Sequence, residues 1–234
     1  MSAIAVQDRL IFALDVPAAG EARELIARLG DAVSFYKLGL EIFMSGAGFD
    51  LLDELTRAGK KVFVDLKFFD VPQTVASAVS QLRGRGVTFT TVHGNDAILQ
   101  AACAAAGEVQ ILAVTALTSL DRHDMEDLGF HTDLSALVLS RARRARDLGC
   151  TGVIASGQEA ARLRRELGPD LRIVIPGIRP RERTTADDQK RTVDVEEAFH
   201  NGADHIVVGR PIRQAADPHA AAAAIQTRIA ALFP

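Results

Sequence analysis

Eight short apolar runs, each followed by a stretch of helical periodicity, are laid out along this 234-residue chain. The runs cover 10–16, 35–40, 61–67, 88–92, 109–117, 152–155, 172–175 and 205–208. Most carry apolar residues at successive positions, the pattern of a strand buried on both faces. The intervening helical stretches cover 21–29, 49–58, 74–82, 97–106, 134–148, 159–167 and 195–201, with a last one from Pro218 onward. Several end on glycine, as at Gly30, Gly59, Gly84 and Gly107. Strands alternating with helices at this spacing imply parallel βαβ units. Eight units suit a closed (β/α)8 TIM barrel, in the α/β class. An open doubly wound sheet is the alternative, but it usually shows a glycine-rich phosphate turn after its first strand, and Asp15-Val16-Pro17 is not one. No linker or shift of composition interrupts the chain, so residues 1–234 are expected to form a single catalytic domain.

The third run holds the unusual chemistry. Lys61-Val62-Phe63-Val64-Asp65-Leu66-Lys67-Phe68-Phe69-Asp70 starts as a buried strand and ends with Asp65, Lys67 and Asp70 among hydrophobics. Residues two apart on a strand face the same way, about 7 Å apart at the backbone. Charges in so apolar a strand are expensive unless they pair. Pro72 stops the strand and suits the first turn of a helix.

Other charges fall at equivalent places. Asp15 ends run one, Lys37 lies within run two and Arg210 follows run eight. In a barrel these positions lie at the C-terminal ends of the strands, where the chemistry of such folds sits. Any one of them taken alone reads as a strand-end ion pair, whereas five on one rim read as a site. Pro176-Gly177-Ile178-Arg179 opens a polar loop near the end of run seven, and Gly209-Arg210 closes run eight. Barrels often bind phosphate there, so a phosphorylated substrate is expected, with Gln189 reaching in from the loop and the loop acting as a lid.

Lysines flanked by carboxylates are held charged, which suits an acid or a fixed cation and not a Schiff-base nucleophile. A divalent metal would compete with those lysines for the same carboxylates. The arrangement suits a reaction that develops negative charge on carbon and then takes a proton.

Other classes fit less well. A net charge of -3 and a pI near 6.1 give no basic surface for nucleic acid. The apolar runs are too short to span a membrane, and the N-terminus lacks a secretory pattern. Two cysteines, Cys103 and Cys150, make no disulfide framework and fit a reducing cytoplasm. A metal-dependent sugar-phosphate barrel, a phosphate-sensing barrel and a Schiff-base aldolase are the alternatives.

Asp65-Leu66-Lys67-Phe68-Phe69-Asp70-Val71-Pro72-Gln73-Thr74 resembles the signature of the orotidine 5'-phosphate decarboxylase family. The resemblance continues in Ala13-Leu14-Asp15, Phe35-Tyr36-Lys37-Leu38-Gly39, Leu117-Thr118-Ser119, Pro176-Gly177-Ile178-Arg179, Asp188-Gln189 and Val208-Gly209-Arg210-Pro211, in family order. It implies decarboxylation of orotidine 5'-phosphate to UMP, the last step of de novo pyrimidine synthesis, with no metal or organic cofactor. It implies that Lys67 stabilises the carbanion at C6 and protonates it, within an array of Asp65, Lys37 and Asp70. Asp15 and Lys37 would hold the ribose, with Thr74 helping, and Thr118 would lie near the pyrimidine. Gln189 would bridge base and phosphate, Gly209 and Arg210 would hold the phosphate, and Arg179 would bind substrate. Asp70 and Thr74 would reach the site across a homodimer interface. The chain departs from the family's usual Ile-Pro-Asn-Thr with Val71-Pro72-Gln73-Thr74, and its 179–189 loop is about one residue longer than a common bacterial version. His93, ending run four, is expected to play a structural hydrogen-bonding role.

Overall fold

A computed structural model gives the architecture, and the structure describes residues 4–127, 129, 133–178 and 193–233. The strands are β1 (Leu10–Ala13), β2 (Phe35–Gly39), β3 (Lys61–Phe68), β4 (Val87–His93), β5 (Gln110–Val114), β6 (Gly152–Ile154), β7 (Arg172–Ile175) and β8 (His205–Val208). They pair in chain order, all parallel, and β1 closes on β8 with Ile11 opposite Val207. This is the expected (β/α)8 TIM barrel. The helices are α1 (Ala19–Leu29), α2 (Leu40–Met44), α3 (Gly48–Arg57), α4 (Pro72–Ser80), α5 (Asp96–Ala105), α6 (Arg122–Asp127), α7 (Leu134–Asp147), α8 (Gly157–Leu167), α9 (Val195–His200), α10 (Arg210–Arg213) and α11 (Pro218–Leu232).

Local chemistry starts the main helices. Asn95 caps α5 by accepting from the Ile98 amide, and Asp133 caps α7 through Ala136. Ser156 and Glu159 form a reciprocal capping box on α8. Pro72 occupies the first turn of α4, as its sequence position predicts. Three short helices, α2, α6 and α10, were not expected, because one turn or so carries no readable periodicity. Strand β1 stops at Ala13, short of the expected Val16, and β5 stops at Val114, short of Leu117. At β5 the chain leaves the sheet where Arg141 on α7 takes the Thr115 carbonyl at 2.7 Å.

The strands divide the core in two. Leu10, Phe12, Leu38, Val62 and Val64 face the helices, while Ile11, Ala13, Phe35, Phe63, Phe89, Leu112, Val114, Ile154, Val174 and Val207 fill the barrel. Both faces are apolar because both are covered. Phe35, Phe63 and Phe89, from neighbouring strands, stack within the barrel at centroid distances of 5.4 and 6.1 Å. They form a floor. Two residues further along each of those strands lie Lys37, Asp65 and Thr91, so strand alternation sets the site on an aromatic base.

The opposite end is a stability device. His205 opens β8, is almost fully buried, and its Nδ1 lies 2.8 Å from the Asp8 carbonyl. The Phe35 and Phe89 rings meet it edge-on at 6.0 and 5.3 Å. Burial pushes its pKa down from 6.5 to about 4, against the Asp8 hydrogen bond and the Asp204 charge. Below pH 6.5 the unfolded chain therefore binds a proton that the folded chain refuses until about pH 4. Stability contributed by this group falls across that window, by on the order of 3 kcal/mol in all. In urea unfolding between pH 7 and 4, His205→Gln is expected to lose less stability on acidification than the wild type. Parallel curves would show that His205 does not titrate this way.

Candidate active site

At the C-terminal rim a pocket of about 450 Å³ opens over the aromatic floor. Asp15, Lys37, Asp65 and Lys67 line one side, Thr118 and Leu117 another, and Pro176, Gly177, Gly209 and Arg210 the remainder. Seven of the residues read from sequence, Asp15, Lys37, Asp65, Lys67, Thr118, Gly209 and Arg210, thus meet in one cavity.

Asp65 is the hub. Its Oδ1 accepts from Lys67 Nζ at 2.9 Å and from the Thr91 hydroxyl at 2.8 Å. Its Oδ2 lies 3.5 Å from Lys37 Nζ. Lys37 in turn donates to Asp15 Oδ1 at 3.0 Å. The four charges form a chain, Asp15–Lys37–Asp65–Lys67, alternating in sign. Burial opposes the Asp65 charge, yet Lys37 and Lys67, aided by hydrogen bonds from Lys67 and Thr91, hold the carboxyl below its usual range. Burial likewise opposes the Lys37 charge, and Asp65 and Asp15 together overcome it and hold the ammonium above its usual range. Among the described residues no group of three or more carboxylate, thiol or imidazole side chains is placed to hold a metal ion.

Backbone geometry aims Lys67. Simple alternation would put its side chain parallel to that of Asp65, but the strand does not stay regular. Val64 pairs with Thr90 and Phe68 with Val92, so residues 65–67 face Thr91 alone. Lys67 lies in this bulge with φ of 48°, the one non-glycine residue with positive φ among those described. For a residue with a Cβ that conformation costs about 1–2 kcal/mol. It persists because the surrounding bonds fix it, as commonly found where chemistry occurs. Thr91 is one of those bonds: its Oγ1 accepts the Lys67 amide at 2.9 Å. Thr91 escaped the sequence reading, in which a threonine within a β-branched run signals only a strand.

Gly39 makes room for the array. A Cβ there would lie 3.0 Å from Asp15 Oδ1 and 3.1 Å from Lys37 Nζ. Glycine at this point lets the strand end approach both charges closely.

The remaining expectations divide three ways. Asp70 and Thr74 are exposed beyond the end of β3 and on α4, outside the pocket of their own chain, and Asp70 accepts from the Val71 amide at 2.6 Å. Arg210 follows β8 and opens α10. Arg179 and Gln189 lie outside the described residues. His93 buries Nδ1 with no hydrogen-bond partner among the described residues, and its ring packs against Phe69 at 5.1 Å.

A closed parallel barrel whose C-terminal rim carries a pocket of alternating acids and lysines has the architecture of a TIM-barrel enzyme. A profile of the orotidine 5'-phosphate decarboxylase / HUMPS family matches residues 8–225. The orotidine 5'-phosphate decarboxylase of Methylococcus capsulatus is 61% identical over 230 residues, 98% of this chain and 95% of that protein. That of Xanthomonas euvesicatoria is 54% identical over 233 residues, 99% of this chain and 96% of the relative. The crystal structure of the Lactobacillus acidophilus orotidine 5'-phosphate decarboxylase superposes with a TM-score of 0.84 at 35% identity, covering 95% of this chain and 99% of the other. The chain belongs to the orotidine 5'-phosphate decarboxylase / HUMPS family.

Removing one member of the array strands another. Lys37→Met leaves Asp65 and Asp15 without their shared ammonium. It is expected to destabilise the fold by about 3 kcal/mol at neutral pH, read as a lower urea midpoint. An unchanged midpoint would mean that solvent already screens these charges.

Proposed function

We propose that this protein decarboxylates orotidine 5'-phosphate to UMP, the last step of de novo pyrimidine nucleotide synthesis. The observation that carries the reading is the alternating Asp15–Lys37–Asp65–Lys67 chain on the pocket wall. The names of close relatives across nearly the full length support it.

In the proposed reaction the bond from C6 to the carboxylate breaks and CO2 leaves. The electron pair remains on C6, where the Lys67 ammonium first stabilises it and then delivers a proton. Lys67 regains its proton from solvent. Asp65 fixes the position of the ammonium, and Lys37 keeps Asp65 ionised. Such a charge arrangement is set before the substrate arrives, so no reorganisation is needed as charge develops. No cofactor is invoked, because both oxygens of Asp65 already face lysine ammoniums, and a divalent ion would have to displace one.

The substrate is placed by its ends. Asp15 and Lys37 hold ribose hydroxyls, Thr118 meets the pyrimidine, and Gly209 with Arg210 receives the phosphate. By the family resemblance, Gln189 bridges base and phosphate and Arg179 binds substrate. Phosphate binding far from C6 supplies energy for the chemical step. The barrel is the single catalytic domain and works in the cytoplasm, where free Cys103 and Cys150 are at home.

Asp70 and Thr74 complete the site of a second copy in a homodimer. Support comes from the apolar residues beside them: Phe69 and Val71 are 68% and 61% exposed, unusual for side chains of that kind.

The ultraviolet change on loss of orotidine 5'-phosphate tests the activity directly. Turnover is expected, and exhaustive chelation is expected to leave it unchanged. Lys67→Ala should lose at least about 10⁴-fold in kcat while still binding UMP. Near-normal turnover by that variant would remove Lys67 from its role. Mixing inactive Lys67→Ala and Asp70→Ala chains should restore roughly a quarter of wild-type activity, the statistical yield of random dimers with shared sites. No recovery after subunit exchange would place Asp70 outside the neighbouring site.

A further inference from the structure

Three buried threonines, Thr90 and Thr91 on β4 and Thr115 just after β5, use their hydroxyls differently. Thr90 donates to the Val64 carbonyl at 2.9 Å and Thr115 to the Ile154 carbonyl at 2.8 Å, each stapling one strand to the next. Thr91 touches no carbonyl of that kind. It is fully buried, and its hydroxyl lies between the Lys67 amide and the Asp65 carboxylate.

The direction of these bonds is forced. An ionised carboxylate can only accept, and a backbone N–H can only donate. The Thr91 oxygen therefore accepts from Lys67 and its single proton points to Asp65 Oδ1. That same oxygen receives the Lys67 ammonium at 2.9 Å. One hydroxyl thus ties both ends of Lys67: the backbone directly, and the ammonium through the acceptor it shares. The bulge makes this tie necessary. Between the Val64–Thr90 and Phe68–Val92 pairs the ladder is interrupted, and the Lys67 amide finds its partner in a side chain. A β-branched side chain suits the task because its χ1 is stiff.

We propose that Thr91 is the positioning residue of this centre, holding Lys67 in its left-handed conformation and aiming its ammonium at the reacting carbon. This rests on the decarboxylase reading above. Thr91 itself does not touch substrate, since it does not line the pocket. Its loss should therefore appear in the chemical step and not in binding.

Thr91→Val keeps the shape and removes the hydroxyl. With orotidine 5'-phosphate as substrate, kcat is expected to fall about thirtyfold or more while KM and the Kd for UMP move less than about threefold. Thr91→Ser, which keeps the hydroxyl, should recover kcat to within about threefold of wild type. If Thr91→Val fails to fold by circular dichroism, Thr91→Ala takes its place against the same serine rescue. A second readout needs no turnover: trace labelling of Lys67 by acetic anhydride, read by peptide mass spectrometry, should be faster by at least about threefold without the hydroxyl, because the ammonium is less firmly held. Wild-type kcat in the valine variant, a serine variant as impaired as valine, or unchanged labelling of Lys67 would each overturn the assignment. Absence of turnover in the wild type would instead overturn the decarboxylase reading, and the labelling comparison would still judge Thr91.

Discussion

One carboxylate organises the charged rim of this barrel. Asp65 sits between two lysines and a threonine hydroxyl, with both oxygens engaged. A buried carboxylate without such partners would take up a proton. With them it stays ionised and becomes the fixed point against which Lys37 and Lys67 are set. The aromatic floor beneath it closes the site from below, while Asp15 and Lys67 stay partly open to the cavity above.

The fold supplies this arrangement through strand periodicity. On β2, β3 and β4 an inward phenylalanine is followed two residues later by Lys37, Asp65 and Thr91. The same alternation that fills the barrel thus furnishes its rim. Lys67 breaks the rule. Its backbone turns into a conformation that side chains avoid, and the local bonds hold it there. The strands build the platform, and the bulge at residues 65–67 turns one lysine toward the cavity.

What was legible in the sequence follows from range. Eight apolar runs and their glycine stops are local signals, and each of the eight strands falls where a run predicts it. Asp15, Lys37, Asp65 and Lys67 were legible because charge inside an apolar run is anomalous wherever the run lies. Thr91 was invisible for the opposite reason: threonine is at home in a strand, and nothing local reveals that its hydroxyl meets residues 24 and 26 positions away. Strand ends at β1 and β5 were overextended because apolar residues continue after pairing stops; Val16 and Ala116 are buried without belonging to the sheet. Asp70 and Thr74 were recognisable by motif, but a single chain leaves both outside its pocket.

Closure of the barrel also orders events in time. The acid–lysine chain is drawn from the segment after β1 (Asp15) and from β2 and β3, and Thr91 from β4, all within the first half of the sequence. Gly209 and Arg210 directly follow the last strand, at the cap and start of α10, and Gly209 reaches its place beside Ala13 only when β8 pairs with β1. A chain emerging from the ribosome therefore displays the charged half of the pocket well before its opposite wall exists. During that interval the strand edges of β1 and β4 are unpaired, and such edges favour mispairing. The cavity is complete only once β8 has closed on β1, so a chain that stops short of β8 lacks Gly209 and Arg210 on its wall.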